Sequence, residues 1–184
     1  QTTHLDTHMD FSENDGYAGA VEMCNGMGDC RKSTGTMCPS YMVTREEEHS
    51  TRGRANLLRA TLSGQLPRHP STAHRLYEAL DLCLECKGCK AECQSGVDMA
   101  KLKSEFLHHY NQTNGLSLRG RLFANINTLS RWASMFSPIS NWLASTYLVR
   151  FALHAFLGIH KDRRFPKFER MTFPIVFKDI GRSK

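Results

Sequence analysis

The sequence predicts an all-α fold in which helices are joined by cysteine-bearing loops. Three observations carry this. Stretches alternating apolar and polar residues with period two are almost absent, so strands have no signal. Apolar residues recur instead at helical spacing, as in Leu76, Ala79, Leu80 and Cys83. Between the helical stretches lie two cysteine-rich segments, 24–39 and 83–93.

Taken in order, residues 1–20 are polar and read as a linker arriving from something upstream. His4 and His8 are metal-ligand types, but a flexible arm accounts for them as well. With Gln1 first and no recognisable closing element at Arg182-Ser183-Lys184, the chain reads as a piece excised from a longer polypeptide. Cys24 to Pro39 holds Gly26, Gly28 and Gly35 and reads as a loop. Thr44-x-x-Glu47 is the pattern of a capping box. The helix it opens runs through Arg54, Leu58 and Leu62 and is stopped by Gly64 and Pro67. Ser71 or Thr72 can cap the next helix, which delivers the chain into the second cysteine run. Gly88 in that run gives the backbone room to bend. Asp98 is the N-cap of a helix with Met99, Leu102, Phe106 and Tyr110 on one face, ended by Asn114-Gly115.

From Leu118 to Ile159 the chain reads as helical and aromatic-rich, with a break at Ser137-Pro138. Its apolar faces are expected to pack on a soluble core, and a membrane-surface helix is the sharper alternative. Residues 161–184, with Pro166 and Pro174, read as an extended basic tail. The expected organisation is a linker over 1–20, a cysteine-bearing domain over 21–115, a helical extension over 116–160 and the tail over 161–184.

Seven cysteines is an odd number, and four fall within eleven residues, which excludes a disulfide framework. A reducing, cytoplasmic compartment fits better. No stretch of 18 apolar residues is present to cross a membrane. The net charge of +6 is uneven. Residues 1–100 carry ten Lys/Arg and fourteen Asp/Glu, and residues 101–184 carry fourteen and four. A basic C-terminal half suits nucleic acid, an acidic protein face or peripheral contact with the inner face of an anionic membrane. No base-reading motif supports nucleic acid, so none is expected.

Residues 83–93 read Cys83-x2-Cys86-x2-Cys89-x3-Cys93, the spacing that wraps an iron–sulfur cluster. In two-cluster ferredoxins the fourth cysteine of such a run serves the other cluster. That rule assigns Cys83, Cys86 and Cys89 to one 4Fe-4S cluster and Cys93 to a second. Upstream, Cys24 and Cys30 flank Met27, which stands where a middle cysteine would be. Cys38-Pro39 follows after an insertion. Cys38 then completes the first site, and Cys24, Cys30 and Cys93 form the second. Three thiolates leave three options there: a 3Fe-4S cluster, a labile 4Fe-4S cluster with a weak or external fourth ligand, or no stable cluster. Met27 and Asp29 are the nearby candidate ligands. Structural zinc is the competing use of these cysteines, but zinc favours paired C-x2-C arms separated by a longer loop.

The blocks Glu22–Lys32, Thr36–Ala55, Leu80–Cys93 and Val97–Leu107 resemble the iron–sulfur domain of large FAD-linked oxidases. These are the FAD- and iron–sulfur-containing D-2-hydroxyacid dehydrogenases of the D-lactate and D-2-hydroxyglutarate type. More distant likenesses are the glycolate oxidase iron–sulfur subunit and a heterodisulfide reductase subunit. The resemblance implies an alpha-helical ferredoxin fold. It implies FAD in an upstream flavin domain, on the same chain or a partner subunit. It also implies a CCG-type cysteine-rich domain downstream and a quinone or electron-carrier protein as acceptor. It further implies that Arg52 and Arg54, in Ser50-Thr-Arg-Gly-Arg54, offset the charge of a thiolate-ligated cluster or hold its loop. The departures are Met27, the insertion before Cys38, and Gln94 where a proline usually follows the last cysteine. The expected function is an electron relay with no substrate site of its own. A free-standing electron-transfer subunit docking on a separate flavoprotein is the alternative, and a cluster-containing nucleic-acid-binding protein the third reading.

Overall fold

The computed structural model describes residues 6–67 and 69–182. Among them the fold is all-α, with eleven α-helices and no strand. The chain divides into two compact units, Gln1–Gly115 and Leu116–Lys184. The first contains α1 (Gly16–Glu22), α2 (Pro39–Thr44), α3 (Thr51–Leu62), α4 (Pro70–Asp81), α5 (Gly88–Glu92) and α6 (Met99–Asn114). The second contains α7 (Leu118–Ala124), α8 (Ile126–Met135), α9 (Ser137–Ser145), α10 (Tyr147–Leu157) and α11 (Phe173–Arg182).

The first unit has a continuous core drawn from α1, α3, α4 and α6, including Val21, Leu58, Leu80 and Leu102. Asp98 caps α6 by accepting from the Lys101 amide, and Gly115 ends it, as the sequence predicts. Met99 and Leu102 lie on its buried face. The capping box at Thr44 does not form. Thr44 instead closes α2, and a short 3-10 turn, Glu47–His49, intervenes before α3. Ser50 caps α3, its hydroxyl accepting from the Gly53 amide. That turn presses on the helix start so closely that a Cβ on Gly53 would sit 1.9 Å from the Glu47 carbonyl oxygen. Pro70 opens α4 at a position where its missing N–H is harmless, and His69 rather than Ser71 or Thr72 caps it.

The expected linker over 1–20 is packed structure from Phe11 onward; His4 lies outside the described residues. Phe11 and Tyr17 are buried edge to face, and the Tyr17 hydroxyl donates to the Leu102 carbonyl at 3.0 Å. The carboxylate of Glu105, 1% exposed, accepts from the amides of His8 (2.8 Å) and Met9 (2.9 Å). Burial opposes the charge on Glu105, but the two amides, with His109 and His108, hold its pKa below the ordinary 4.5. The His109 ring nitrogen lies 3.1 Å from one carboxylate oxygen without hydrogen-bond alignment. A carboxyl with a lowered folded-state pKa stabilises above its unfolded value, and that contribution is lost as pH falls through the folded value. Glu105→Gln should therefore speed amide exchange at His8 and Met9 roughly tenfold at pH 7, matching about 1.5 kcal/mol for bonds to a charged acceptor. The difference from the unsubstituted protein should shrink below pH 4.5, measured by hydrogen exchange. Equal protection at pH 7 would remove the anchor.

In the second unit, Ser137-Pro138 begins α9, but the chain also breaks at Asn125 and Thr146, giving four short helices. Their main packing is between successive helices. The expectation of a soluble core is not met: among the described residues of this unit only Ser134 and Ser137 are buried. The basic tail is not wholly extended, since α11 spans Phe173–Arg182. Pro174 falls in its first turn, where proline is tolerated, and the Thr172 carbonyl accepts from Ile175 and Val176.

Candidate metal centre

The seven cysteines, none of them disulfide-bonded, line two cavities of the first unit. Cys38, Cys83, Cys86 and Cys89 line one of them, with Thr51 and Arg54. Cys24, Cys30 and Cys93 line the other, with Met27, Asp29 and Arg52. Thr51 lines both. The structure therefore brings Cys38 to the run of Cys83, Cys86 and Cys89, and separates Cys93 from its neighbours in sequence.

Local backbone explains the convergence. Glu85 (φ 54°) and Lys87 (φ 59°) are left-handed on either side of Cys86, which coils the run tightly. Cys38 is also left-handed (φ 56°) and sits at the N-cap of α2, with Pro39 fixing the helix start behind it. Non-glycine residues in this region carry strain that the surrounding structure must hold. The hold comes from Glu92 on α5, whose carboxylate accepts from the Thr36 amide (2.9 Å), the Met37 amide (3.3 Å) and the Thr36 hydroxyl. These bonds lower the Glu92 pKa, the Thr36 hydroxyl contributing most. Gly88 serves this contact: a Cβ there would meet the Thr36 carbonyl oxygen at 3.2 Å.

The start of α3 lies between the cavities. A helix leaves its first amides without intrahelical partners and carries positive potential there. Here the Thr51 amide donates to Cys38 Sγ (3.1 Å) and the Arg52 amide to Cys30 Sγ (3.3 Å). The Thr51 hydroxyl is 2.8 Å from Cys38 Sγ. The contact with the Cys38 thiol pulls the Cys30 pKa down to about 6, aided by the Arg52 amide and the Ser50 hydroxyl. The same contact, with burial, pushes Cys38 up, and burial raises Cys89.

Arg54 is 1% exposed and borders the four-thiol cavity. Its Nε donates to the Ala79 carbonyl (2.8 Å) and an Nη to the Ser40 hydroxyl (2.9 Å). Burial lowers its pKa, and the Cys83, Cys38, Cys89 and Cys30 sulfurs oppose that shift. Arg52 is more exposed and borders the three-thiol cavity. It donates to the Gly26 carbonyl (3.1 Å) and pairs with Glu47 (2.7 Å), so it holds the 24–30 loop. That Glu47 contact is the main cause of its raised pKa, with Cys30 and Cys24 adding to it. Lys103, which sequence patterning did not single out, is buried on α6. Its Nζ donates to the Cys83 carbonyl (2.8 Å) and pairs with Glu85 (3.2 Å). A charged residue on an otherwise apolar helical face was its signal. Thr51 and Glu92 had no comparable mark.

Of the two ligand candidates in the three-thiol cavity, Asp29 pairs with Lys32 at 3.6 Å in a 3-10 turn, and Met27 is 54% exposed at the rim. Met27 is therefore not a core-packing residue. Glu46, Glu48 and His49 also approach within 4.8 Å of one another. They are already partnered: Arg75 pairs with Glu48 (2.6 Å) and the Thr44 hydroxyl meets His49 Nδ1 (2.9 Å).

The donor set fits an iron–sulfur cluster better than zinc. Tetrahedral zinc about 2.3 Å from each sulfur brings the sulfurs about 3.8 Å apart. Among the described residues no three cysteine sulfurs lie within 4.8 Å of one another. Four thiols around one cavity, amides aimed at sulfur and a buried arginine suit a larger anionic group.

This defines a helical iron–sulfur domain, and comparison with known proteins agrees. Residues 13–97, which include all seven cysteines, match the 4Fe-4S dicluster domain family. The chain is similar to D-2-hydroxyglutarate dehydrogenase of Escherichia coli, 27% identical over 170 residues, covering 73% of this chain and 17% of that protein. The Pseudomonas putida protein of that name is 29% identical over 136 residues, covering 56% of this chain and 14% of that one. A probable glycolate oxidase iron–sulfur subunit of Bacillus subtilis is 32% identical over 104 residues, covering 55% and 22%. The chain thus spans about one-sixth of the length of the dehydrogenases it matches. No solved structure matches it. The chain carries an iron–sulfur domain related to those oxidoreductases.

Proposed function

We propose that the first unit is the electron relay of an FAD-dependent 2-hydroxyacid dehydrogenase of the D-2-hydroxyglutarate or D-lactate type. In this reading it carries electrons from a flavin domain towards a quinone or a carrier protein. The observation that carries the reading is the pair of thiol-lined cavities joined by the start of α3. Cys38, Cys83, Cys86 and Cys89 would hold a 4Fe-4S cluster, and Cys24, Cys30 and Cys93 a second with a non-cysteine fourth position. A bound cluster takes up and gives back single electrons, which lets a two-electron flavin serve a one-electron carrier.

The chain's own residues do the rest. The Thr51 and Arg52 amides and the Thr51 hydroxyl stabilise negative charge on Cys38 and Cys30. Arg54 sets a permanent cation beside the four-thiol cavity, and Lys103 fixes the carbonyl of Cys83. Thr51 borders both cavities. Seven unpaired cysteines suit a reducing, cytoplasmic compartment. Likeness to a glycolate oxidase iron–sulfur subunit favours a second arrangement, a free-standing electron-transfer subunit that docks on a separate flavoprotein.

The test is an anaerobic titration of the iron- and sulfide-loaded chain with reduced flavin, followed by visible absorbance. Two one-electron steps at separate potentials are expected, reversed by an oxidised quinone analogue. A protein that stays colourless, or whose absorbance ignores reduced flavin, would reject the relay.

A further inference from the structure

We infer that the second unit is a docking surface for an anionic lipid membrane, its helices lying flat in the headgroup region. Its apolar side chains point the wrong way for a unit surrounded by water. Among the described residues, twenty large apolar side chains of this unit are exposed, against five in the larger first unit. Trp132 is 60% exposed, Trp142 and Tyr147 are each 69%, and Phe156 is 76%. An apolar surface of that extent marks an interaction site.

Charge selects the occupant. From residue 106 to residue 161 the sequence has no Asp or Glu at all. Residues 116–184 carry twelve Lys/Arg against three Asp/Glu. Along the sequence the basic residues alternate with the aromatic ones. Arg131 precedes Trp132, and the Arg119 guanidinium lies 5.8 Å from the Phe123 ring centroid. Lys161, Arg163, Arg164, Lys167 and Arg170 follow α10, all exposed. A protein interface concentrates apolar contacts at its centre and charge at its rim. Basic and aromatic residues mixed along short helices match a lipid headgroup layer, where phosphates take the cations and acyl chains take the rings.

Length sets the mode of contact. The helices of this unit have 7 to 11 residues, where crossing a bilayer takes about 20. Among the described residues no helix is long and apolar enough to span. Each Lys or Arg near an anionic surface strengthens the contact, and salt screens it.

Both tryptophans of the chain, Trp132 and Trp142, lie in this unit, so intrinsic tryptophan fluorescence reports on it alone. The experiment adds vesicles of phosphatidylcholine, with or without phosphatidylglycerol, to the full cluster-loaded chain. With phosphatidylglycerol present we expect a blue shift and co-sedimentation, at least tenfold tighter than on phosphatidylcholine alone and reversed by high salt. The triple variant Arg163→Glu/Arg164→Glu/Lys167→Glu should lose the anionic preference while keeping its visible absorbance and helical circular dichroism. No shift with anionic vesicles, or equal binding to neutral ones, would overturn the proposal. So would a shift arising from self-association, or only on adding a flavoprotein.

Discussion

Arg54→Leu is expected to destabilise the first unit by about 3 kcal/mol and to leave the four-thiol cavity unable to retain iron. Ala79 lies in the last turn of α4, where carbonyls lack intrahelical partners. Arg54 supplies the donor, and its other arm meets the Ser40 hydroxyl next to Pro39. Leucine fills part of the space but leaves that carbonyl and hydroxyl without their charged partner, at about 1–3 kcal/mol each. It also removes the buried cation that faces four sulfurs when they are ionised. Lys103 stands as a second cation at the same helix end, donating to the carbonyl of Cys83. Arg54→Lys separates the two effects: charge is kept and the paired directed donors are lost. That variant should retain iron while unfolding at lower urea. Iron per chain and the urea midpoint of both variants check this. An Arg54→Leu protein with full iron and an unchanged midpoint would deny the arginine any role.

Much of the first unit was legible because its signals are local. Asp98, the Met99 and Leu102 face, and the Gly115 stop each need only neighbouring residues, and each stands where expected. The grouping of the cysteines was also legible, since the spacing rule concerns how a short turn aims its sulfurs. What stayed hidden depends on distant partners. Residues 1–20 read as linker because the Tyr17 hydroxyl and the His8 amide meet Leu102 and Glu105, some 85 to 97 residues away. Thr44 matched a capping pattern, whereas Ser50, which caps α3, was not singled out. The turn at Glu47–His49, packed against Gly53, decided for Ser50. Pro174 reads as a breaker in a sequence and as an N-terminal residue in a helix. In the second unit periodicity located apolar faces, but periodicity carries no information on what covers them.

The division of residues 83–93 between two cavities is central to the proposed relay, and Cys93→Ser tests that division most directly. In a self-contained run, Cys93 would be the fourth ligand beside Cys83, Cys86 and Cys89. In this structure it lines the other cavity with Cys24 and Cys30, and Cys38 takes its place. Iron and labile-sulfide analysis with EPR of the dithionite-reduced protein distinguishes the two. Cys93→Ser should keep the four-iron signal of the four-thiol cavity and lose the remaining iron, and Cys38→Ser should lose the four-iron signal. A Cys93→Ser protein without the four-iron signal, beside a Cys38→Ser protein that retains it, would contradict the division.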